Sequence, residues 1–223
     1  MDKNNVLILG GGSTICKGLI PLLEANYNLI DISLSNIDYS NKELYKQEVH
    51  KVIHSSCRNL NKNFAAALVA YRIRIVEQPI EEIIAQEISL LKTFHQYIVD
   101  EFDSSKTVVL GSITGRQIHI ASQEAYHYQK DIQKSMVKYL GTQYQRHHIN
   151  LIEINSCFRK YSKEDSSDSY IDYCEKVSNI NPNKKMLNYL DLSETIRLHL
   201  NPSVKISGTF IQLDNGFANI QPL

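Results

Sequence analysis

The chain has 223 residues, of which 43% are hydrophobic and 22% charged, with only nine glycines and five prolines. This composition predicts one globular domain over residues 1–223 and excludes a repeat array and a disordered chain. Because 24 basic side chains balance 24 acidic ones, no excess positive charge is available to attract nucleic acid or a lipid surface. We therefore expect neither a nucleic-acid partner nor a membrane partner.

The cysteines and the first residues of the chain bear on its location. Four cysteines are scattered without a CxxC pair, which indicates free thiols in a reducing compartment. The longest apolar stretches fall far short of the roughly 20 residues that a membrane helix needs. The opening MDKNNVLILGGG lacks the basic region of a signal peptide. We expect a cytoplasmic protein.

Short apolar segments rich in β-branched residues alternate with longer segments of helical period, which is typical of βαβ units. The pattern predicts a Rossmann-like, doubly wound α/β fold, with about seven parallel strands and helices on both faces of the sheet. The predicted strands, of which 48–53 is the weakest, are 6–9, 28–34, 48–53, 66–70, 107–110, 150–154 and 209–213. The predicted helices are 18–26, 79–102, 122–144 and 193–200, the last with Ser193 as a candidate N-cap.

The turn that leaves the first strand carries three consecutive glycines, beginning at Gly10. Right-handed crossovers are expected to place this strand at the centre of the sheet, with its carboxyl end at the crevice where nucleotides bind. Glycines let backbone N–H groups approach a pyrophosphate, and the next helix presents its positive end. The pattern GxGxxG fits loosely, whereas the phosphate-loop pattern GxxxxGK[ST] fails. The predicted nucleotide contacts in this turn are Gly10, Gly12, Ser13, Thr14 and Ile15.

The residue at the end of the second strand normally contacts the ribose, where an acid accepts from a 2′-hydroxyl and a basic side chain favours a 2′-phosphate. Counting about 24 residues from Gly10 reaches Leu34, between Ser33 and Ser35, where there is no carboxylate. Asp31 lies three residues earlier, inside the strand. The missing acid slightly favours NADP, but no Arg or Lys is present to bind a phosphate, so NADP and NAD both stay open. Ser33 and Ser35 are the predicted contacts here.

A serine, a tyrosine and a lysine follow the fourth buried segment. Ser112 comes at the end of the strand, and Tyr126 and Lys130 are four residues apart on the next helix, so they project from one face. A phenol ordinarily ionises near pH ~10, but a neighbouring ammonium stabilises the phenolate and makes it a usable base. Tyr126 could then protonate a carbonyl oxygen, with Ser112 hydrogen-bonded to that oxygen.

The order and spacing of the glycine turn, Ser112, Tyr126, Lys130 and the closing segment GTFIQLDNG resemble the classical short-chain dehydrogenase/reductase family over the whole chain. The resemblance implies a nicotinamide-dependent oxidoreductase in which Ser112 orients the substrate oxygen and Tyr126 is the general acid/base. It implies that Lys130 holds the nicotinamide ribose, and that Ala70, where the family has its NNAG segment, lies beside the cofactor. It also implies a homodimer or homotetramer formed through the two long helices.

The sequence departs from the family pattern around the cofactor. Thr14 and Cys16 replace the second and third glycines of the family's turn, where side chains would narrow the approach to a pyrophosphate. The family's helix asparagine, which bridges through water to the lysine, aligns near Glu87. The serine, tyrosine and lysine are all retained, so these departures concern cofactor binding.

Two hypotheses of function follow, with a third less favoured. The first is an NADP- or NAD-dependent oxidoreductase acting on a carbonyl or secondary alcohol of a small polar molecule. The alternative is a nucleotide-binding or regulatory protein of the same fold with weak or lost catalysis. A small-molecule kinase is disfavoured because the glycine turn lacks the phosphate-loop lysine context. The eight histidines show no metal-ligand spacing, so no metal site is predicted.

Overall fold

The computed structural model describes residues 3–33, 42–71, 79–112, 124–154, 175, 178–179, 182–185 and 187–214. The strands are β1 (Asn4–Leu9), β2 (Tyr27–Ile32), β3 (Ala65–Val69), β4 (Ser105–Ser112), β5 (His147–Ile154) and β6 (Phe210–Leu213). The longer helices between them are α1 (Thr14–Glu24), α2 (Lys42–Cys57), α3 (Ile80–Glu101), α4 (Glu124–Gln143) and α5 (Tyr189–Leu200). All six strands join one sheet in the order β2-β1-β3-β4-β5-β6, and every pairing is parallel.

Helices cover both faces of this sheet. Side chains alternate along β1, so that Leu7 and Leu9 enter the core cluster formed with α2, α3 and α4. Val6 and Ile8 enter the opposite cluster, formed with α1 and α5. The predicted doubly wound parallel α/β fold is confirmed.

The direction of winding reverses beside β1. The chain leaves β1 through α1 to pair β2 on one side, and returns through α2 to pair β3 on the other. Ile32 and Val69 flank Leu9 in register, so the three strands end together. In doubly wound sheets the crevice at such a reversal, outside the carboxyl ends of the strands, is where ligands bind.

The sheet is narrower than the sequence pattern predicted. Six strands, not about seven, occur in the described ranges, and β1 has only β2 beyond it, so β1 is not central. The predicted strand 48–53 is wrong because this segment lies within α2. Its buried residues Val49, Ile53 and Cys57 recur every four positions, which is a helical period.

Two helices begin earlier than predicted. The first starts at Thr14 rather than at Gly18, because Ser13 already caps it. The last starts at Tyr189, with Asn188 as its N-cap, and Ser193 lies inside the helix with its hydroxyl donating to Leu190 O. Across the described ranges, none of the helices has the length and apolar character to cross a bilayer.

Candidate active site

The glycine turn starts with Gly10 in the left-handed region of backbone conformation, at a φ of +94°. A hydrogen bond of 3.0 Å from Ser13 N to Gly10 O closes the turn. A Cβ added to Gly10 would lie 2.5 Å from the backbone nitrogen of Tyr71, the second residue after β3. Only glycine suits this position, because a side chain would be both strained and obstructed.

The first turn of α1 is built by Ser13 and Cys16. The Ser13 hydroxyl accepts a hydrogen bond of 3.2 Å from Cys16 N and so caps the helix. Cys16 is fully buried in the cluster beneath α1 and α5, where burial raises the pKa of its thiol. Thr14 is exposed, and a Cβ added to Gly12 would meet nothing within 4 Å. Cys16 therefore packs into the core, and open space remains beside Gly12.

Asp31 reaches the glycine turn from β2. Its Oδ1 accepts a hydrogen bond of 3.2 Å from Gly11 N. A carboxylate is therefore present at the turn, although Asp31 comes three residues before Leu34, where the ribose contact was expected.

The other predicted cofactor residues lie around the same crevice or outside the described residues. Ile15 is half-buried in α1, and Ser33 is exposed directly after β2. Ala70 follows β3, and its backbone N–H donates to Leu9 O at 2.9 Å. Ser35 lies outside the described residues.

The predicted catalytic side chains come from β4 and α4. Ser112 is the last residue of β4, at the carboxyl edge of the sheet. On α4, Lys130 Nζ lies 5.7 Å from the centroid of the Tyr126 ring. Lys130 is buried with 7% exposure, whereas Tyr126 is half-buried. The structure thus brings Tyr126 and Lys130 together.

A buried polar network surrounds Lys130. Its Nζ donates to Gln133 Oε1 at 2.8 Å, and Gln133 Nε2 donates to Glu87 Oε1 at 2.6 Å. Two further donors reach Glu87: Tyr71 Oη to Oε1 at 2.7 Å, and Gln129 Nε2 to Oε2 at 2.8 Å. The pKa of Glu87 is raised because burial outweighs the lowering effects of Lys130 and the three hydrogen bonds. α3 and α4 therefore meet through a carboxylate, two amides and an ammonium.

Sequence reasoning missed most of this network. Gln129 and Gln133 were not singled out, and Glu87 was recognised only through an approximate alignment. One signal was present: Gln129, Lys130 and Gln133 lie on one helix face at spacings of one, three and four, and a helix in this fold buries one face in the core. Polar residues on a core-facing stripe indicate a network that needs a partner on another element.

A cavity lies away from the candidate active site. It has a volume of about 620 Å³ and opens at the amino edge of the sheet, opposite the crevice, where Tyr27, Phe64, Arg197 and Pro202 are among its lining residues. The part of the chain that the structure describes contains no cluster of three or more His, Cys, Asp or Glu side chains suited to a metal ion.

Solved structures share this fold. A short chain dehydrogenase family protein from Francisella tularensis subsp. tularensis SCHU S4 has 18% identity and a TM-score of 0.72, over 98% of this chain and 100% of that one. The ligand-free aldohexose dehydrogenase of Thermoplasma acidophilum has 12% identity and a TM-score of 0.76, over 99% and 96%. A small-chain dehydrogenase in complex with NADPH has 16% identity and a TM-score of 0.72, over 98% and 100%.

By sequence, no model of a known protein family matches the chain, and no curated protein matches it. At identities of 12–18%, the likeness to solved structures establishes the fold and leaves the chemistry to be argued from the site. The chain has the fold of short-chain dehydrogenase/reductase proteins.

Proposed function

We propose that this chain is a divergent short-chain dehydrogenase/reductase that transfers hydride between a nicotinamide cofactor and a carbonyl or secondary alcohol of a small polar molecule. The observation that carries the proposal is the Tyr126–Lys130 pair, with the Lys130 ammonium 5.7 Å from the Tyr126 ring centroid. The pair lies on the helix that follows Ser112, in a fold shared with solved dehydrogenases.

Each side chain has a role in the reduction direction. A bound nicotinamide cofactor would supply the hydride that the carbonyl carbon of the substrate accepts. Tyr126 Oη donates its proton to the carbonyl oxygen, and the hydroxyl of Ser112 hydrogen-bonds to that oxygen. The Lys130 ammonium would stabilise the phenolate that Tyr126 becomes and would hold the nicotinamide ribose. Oxidation of the alcohol reverses these transfers.

The turn between β1 and α1 fits the cofactor's pyrophosphate. The positive φ of Gly10 brings the chain sharply round, and open space lies beside Gly12. The first N–H groups of α1, at Thr14 and Ile15, cannot bond within the helix, so they suit an anion. Ala70 and Ser33 would line the adenosine side of the crevice.

Asp31 bears on the choice between NAD and NADP. Its carboxylate hydrogen-bonds to the backbone of the glycine turn, so it can accept from a ribose 2′-hydroxyl and would repel a 2′-phosphate. This counters the slight preference for NADP that the sequence suggested, so the two cofactors are tested side by side.

The same hydrogen bond supports a second candidate function. The Asp31 carboxylate already accepts a hydrogen bond from Gly11 N–H. This N–H can therefore bind a pyrophosphate only if the carboxylate moves aside. A chain of this kind could bind a nucleotide weakly and act as a regulatory protein without hydride transfer.

Titration of the purified protein with NADPH and NADH, followed by nicotinamide fluorescence, separates the two functions. We expect saturable binding of at least one cofactor, with a dissociation constant below about 1 mM, and turnover with a panel of small polar carbonyl compounds. Absence of binding for both cofactors at millimolar concentration would overturn the oxidoreductase proposal and favour the regulatory one.

Replacement of Tyr126 by Phe tests the chemical step. Loss of the general acid should lower kcat about a thousandfold while the cofactor affinity changes little. Tyr128→Phe is the matched control, because Tyr128 lies two residues away on the same helix and is 46% exposed. Retained turnover in Tyr126→Phe would remove Tyr126 from the mechanism.

We also propose that α3 and α4 pair with their copies in a homodimer or homotetramer. In support, α4 carries two exposed aromatic side chains, Tyr128 and Tyr139, at 46% and 56% exposure. Light scattering after size-exclusion chromatography should give a mass of two or four chains, and a monomer at micromolar concentration would contradict this.

A further inference from the structure

The cavity at the amino edge of the sheet lies between the first residues of β1 and β2, the start of β3 and the end of α5. Its volume of about 620 Å³ falls within the range of about 300–1,000 Å³ that small-molecule sites occupy. The glycine turn, Tyr126 and Lys130 belong to the opposite, carboxyl edge. The cavity is therefore separate from the proposed cofactor crevice.

The floor of this cavity is apolar. Ala66 and Leu200 are buried members of the core cluster between the sheet and α5, and the rings of Tyr27 and Phe64 are half-buried against the same cluster. Leu198 also lines the cavity, although 57% of it is exposed. A planar apolar group placed here would remove these side chains from water, so the lining favours a ligand with an aromatic ring.

Arg197 supplies donors for a ligand at the same cavity. Within the described residues its guanidinium makes no hydrogen bond and no ion pair. Its planar fork of N–H groups matches the two oxygens of a carboxylate. Burial raises the pKa of the Tyr27 phenol, and the nearby Arg197 partly offsets this. The phenol is therefore protonated at neutral pH and can donate a hydrogen bond as well.

The charges around the cavity favour an anion. Glu194, three residues before Arg197 on α5, offsets the charge of the guanidinium. Behind the floor, Lys106 lies beside Ala66 in register, is 2% exposed and has a second cation, Lys205, as its charged neighbour. Among the described residues, neither lysine forms an ion pair with an acid. These two cations give the surroundings an excess of positive charge.

We propose that the amino-edge cavity is a second ligand site, which binds a small organic anion composed of an aromatic ring and a carboxylate group. The carboxylate pairs with Arg197 and accepts a hydrogen bond from Tyr27 Oη. The ring packs on Phe64, Ala66 and Leu200. This site goes beyond the proposed oxidoreductase function and does not depend on it.

The probe is para-trifluoromethylbenzoate, followed by the broadening of its ¹⁹F signal as protein is added. We expect a Kd of about 1 mM, which is the affinity typical of good ligands of this size. The uncharged para-trifluoromethylbenzamide has the same ring and should bind about tenfold more weakly, because it lacks the charge that pairs with the guanidinium. Equal binding of the two probes, or no binding of the benzoate at about 10 mM, would overturn the proposal.

Arg197→Gln tests the anchor of the carboxylate. It removes the positive charge from an exposed position, so benzoate binding should weaken about tenfold while benzamide binding changes little. Arg146→Gln is the matched control, because Arg146 is an exposed arginine at the same edge of the sheet and does not line the cavity. Unchanged benzoate binding in Arg197→Gln, or an equal loss in both variants, would overturn the proposal.

A second measurement locates the probe without changing Arg197. In protein labelled with ¹³C at the leucine methyl groups, the signals of Leu198 and Leu200 should shift as the benzoate is added. The signal of Leu9, which ends β1 beside the glycine turn, should stay in place. Each signal is assigned by its loss when that leucine is replaced by isoleucine. A shift of Leu9 alone would place the probe in the cofactor crevice and overturn the proposal.

A second copy of the chain is the rival occupant, because Leu198 is exposed beside the cavity. Light scattering of Leu198→Asp separates the two. We expect the mass of the wild type, since a small ligand and not a subunit covers this leucine. A mass reduced by half would show that the face is an interface between copies and would overturn the proposal. Because none of these measurements uses a nicotinamide cofactor, a failed NADPH titration would leave them unaffected.

Discussion

Buried ionisable groups have different hydrogen-bond partners and charged neighbours at the two edges of the sheet. At the carboxyl edge, Glu87 has three hydrogen-bond donors and lies close to the Lys130 ammonium. At the amino edge, Lys106 is equally enclosed, at 2% exposure, but its Nζ donates to a carbonyl oxygen, that of Val204, and its charged neighbour is another cation, Lys205. Burial, with Lys205 adding to it, lowers the pKa of Lys106 to about 8.

Histidines at the amino edge show the same behaviour. Burial lowers the pKa of His95 to about 4, and the charge of His147 adds to this. Neither ring nitrogen of His95 has a hydrogen-bond partner in the described part of the chain. Burial likewise lowers the pKa of His147, His148 and His199. Burial favours the neutral form at both edges, since it also raises the pKa of Glu87. The difference is that an opposite charge and three hydrogen-bond donors oppose the effect of burial at Glu87, whereas the charged neighbours of Lys106 and His95 add to it.

The largest expected effect is at the carboxyl edge, in Glu87→Ala. Removing the carboxylate leaves three donors without their acceptor and the buried Lys130 ammonium without a neighbouring carboxyl group, so we expect the free energy of unfolding to fall by about 3 kcal/mol. Glu87→Gln should lose less than half of that, because the amide replaces most of the hydrogen bonds. Urea unfolding at pH 7 measures both, and equal losses would show that the hydrogen bonds are not what stabilises this interface.

A similar effect is expected at the amino edge as the pH falls. Below pH ~6.5 the unfolded chain binds a proton at His95 that the folded protein does not bind until about pH 4. The free energy of unfolding therefore falls between pH 6.5 and 4, by about 3 kcal/mol from this group. His95→Leu should flatten that part of the pH profile, and His54→Leu, which changes an exposed histidine, should leave it intact. A wild-type slope in His95→Leu would contradict the assignment.

The smallest effect concerns Lys106→Met. Below pH ~8, Lys106 is protonated in both states and its burial destabilises the fold, so Met should raise the free energy of unfolding at pH 7 by about 1 kcal/mol. Between about pH 8 and 10.5 the folded wild type loses the proton while the unfolded chain keeps it, so the wild type gains stability and the advantage of Met shrinks. Urea unfolding at pH 7 and pH 9.5 checks this, and a constant difference would show that titration of Lys106 is not the cause.

Prediction from the sequence succeeded where the signal was local. The strand β3 is an apolar run, AAALV, that is wholly buried. The strands β1 and β4 beside it also contain apolar runs, and the alternation of such runs with helical segments indicated the parallel sheet. It failed at 48–53, where Val49, Val52 and Ile53 suit either a strand or a helix, and at the start of α5, where Asn188 rather than Ser193 caps the helix.

By itself, the sequence determined the doubly wound α/β class, the glycine turn and the one-turn spacing of Tyr126 and Lys130, because these depend on residues close together in the chain. Only the tertiary structure decided which groups meet across elements. Glu87 is 42 and 46 residues from the two glutamines that donate to it, and Asp31 is 20 residues from the glycine that it contacts. Such pairings follow from how α3 packs on α4 and β2 beside β1, and no local periodicity encodes them.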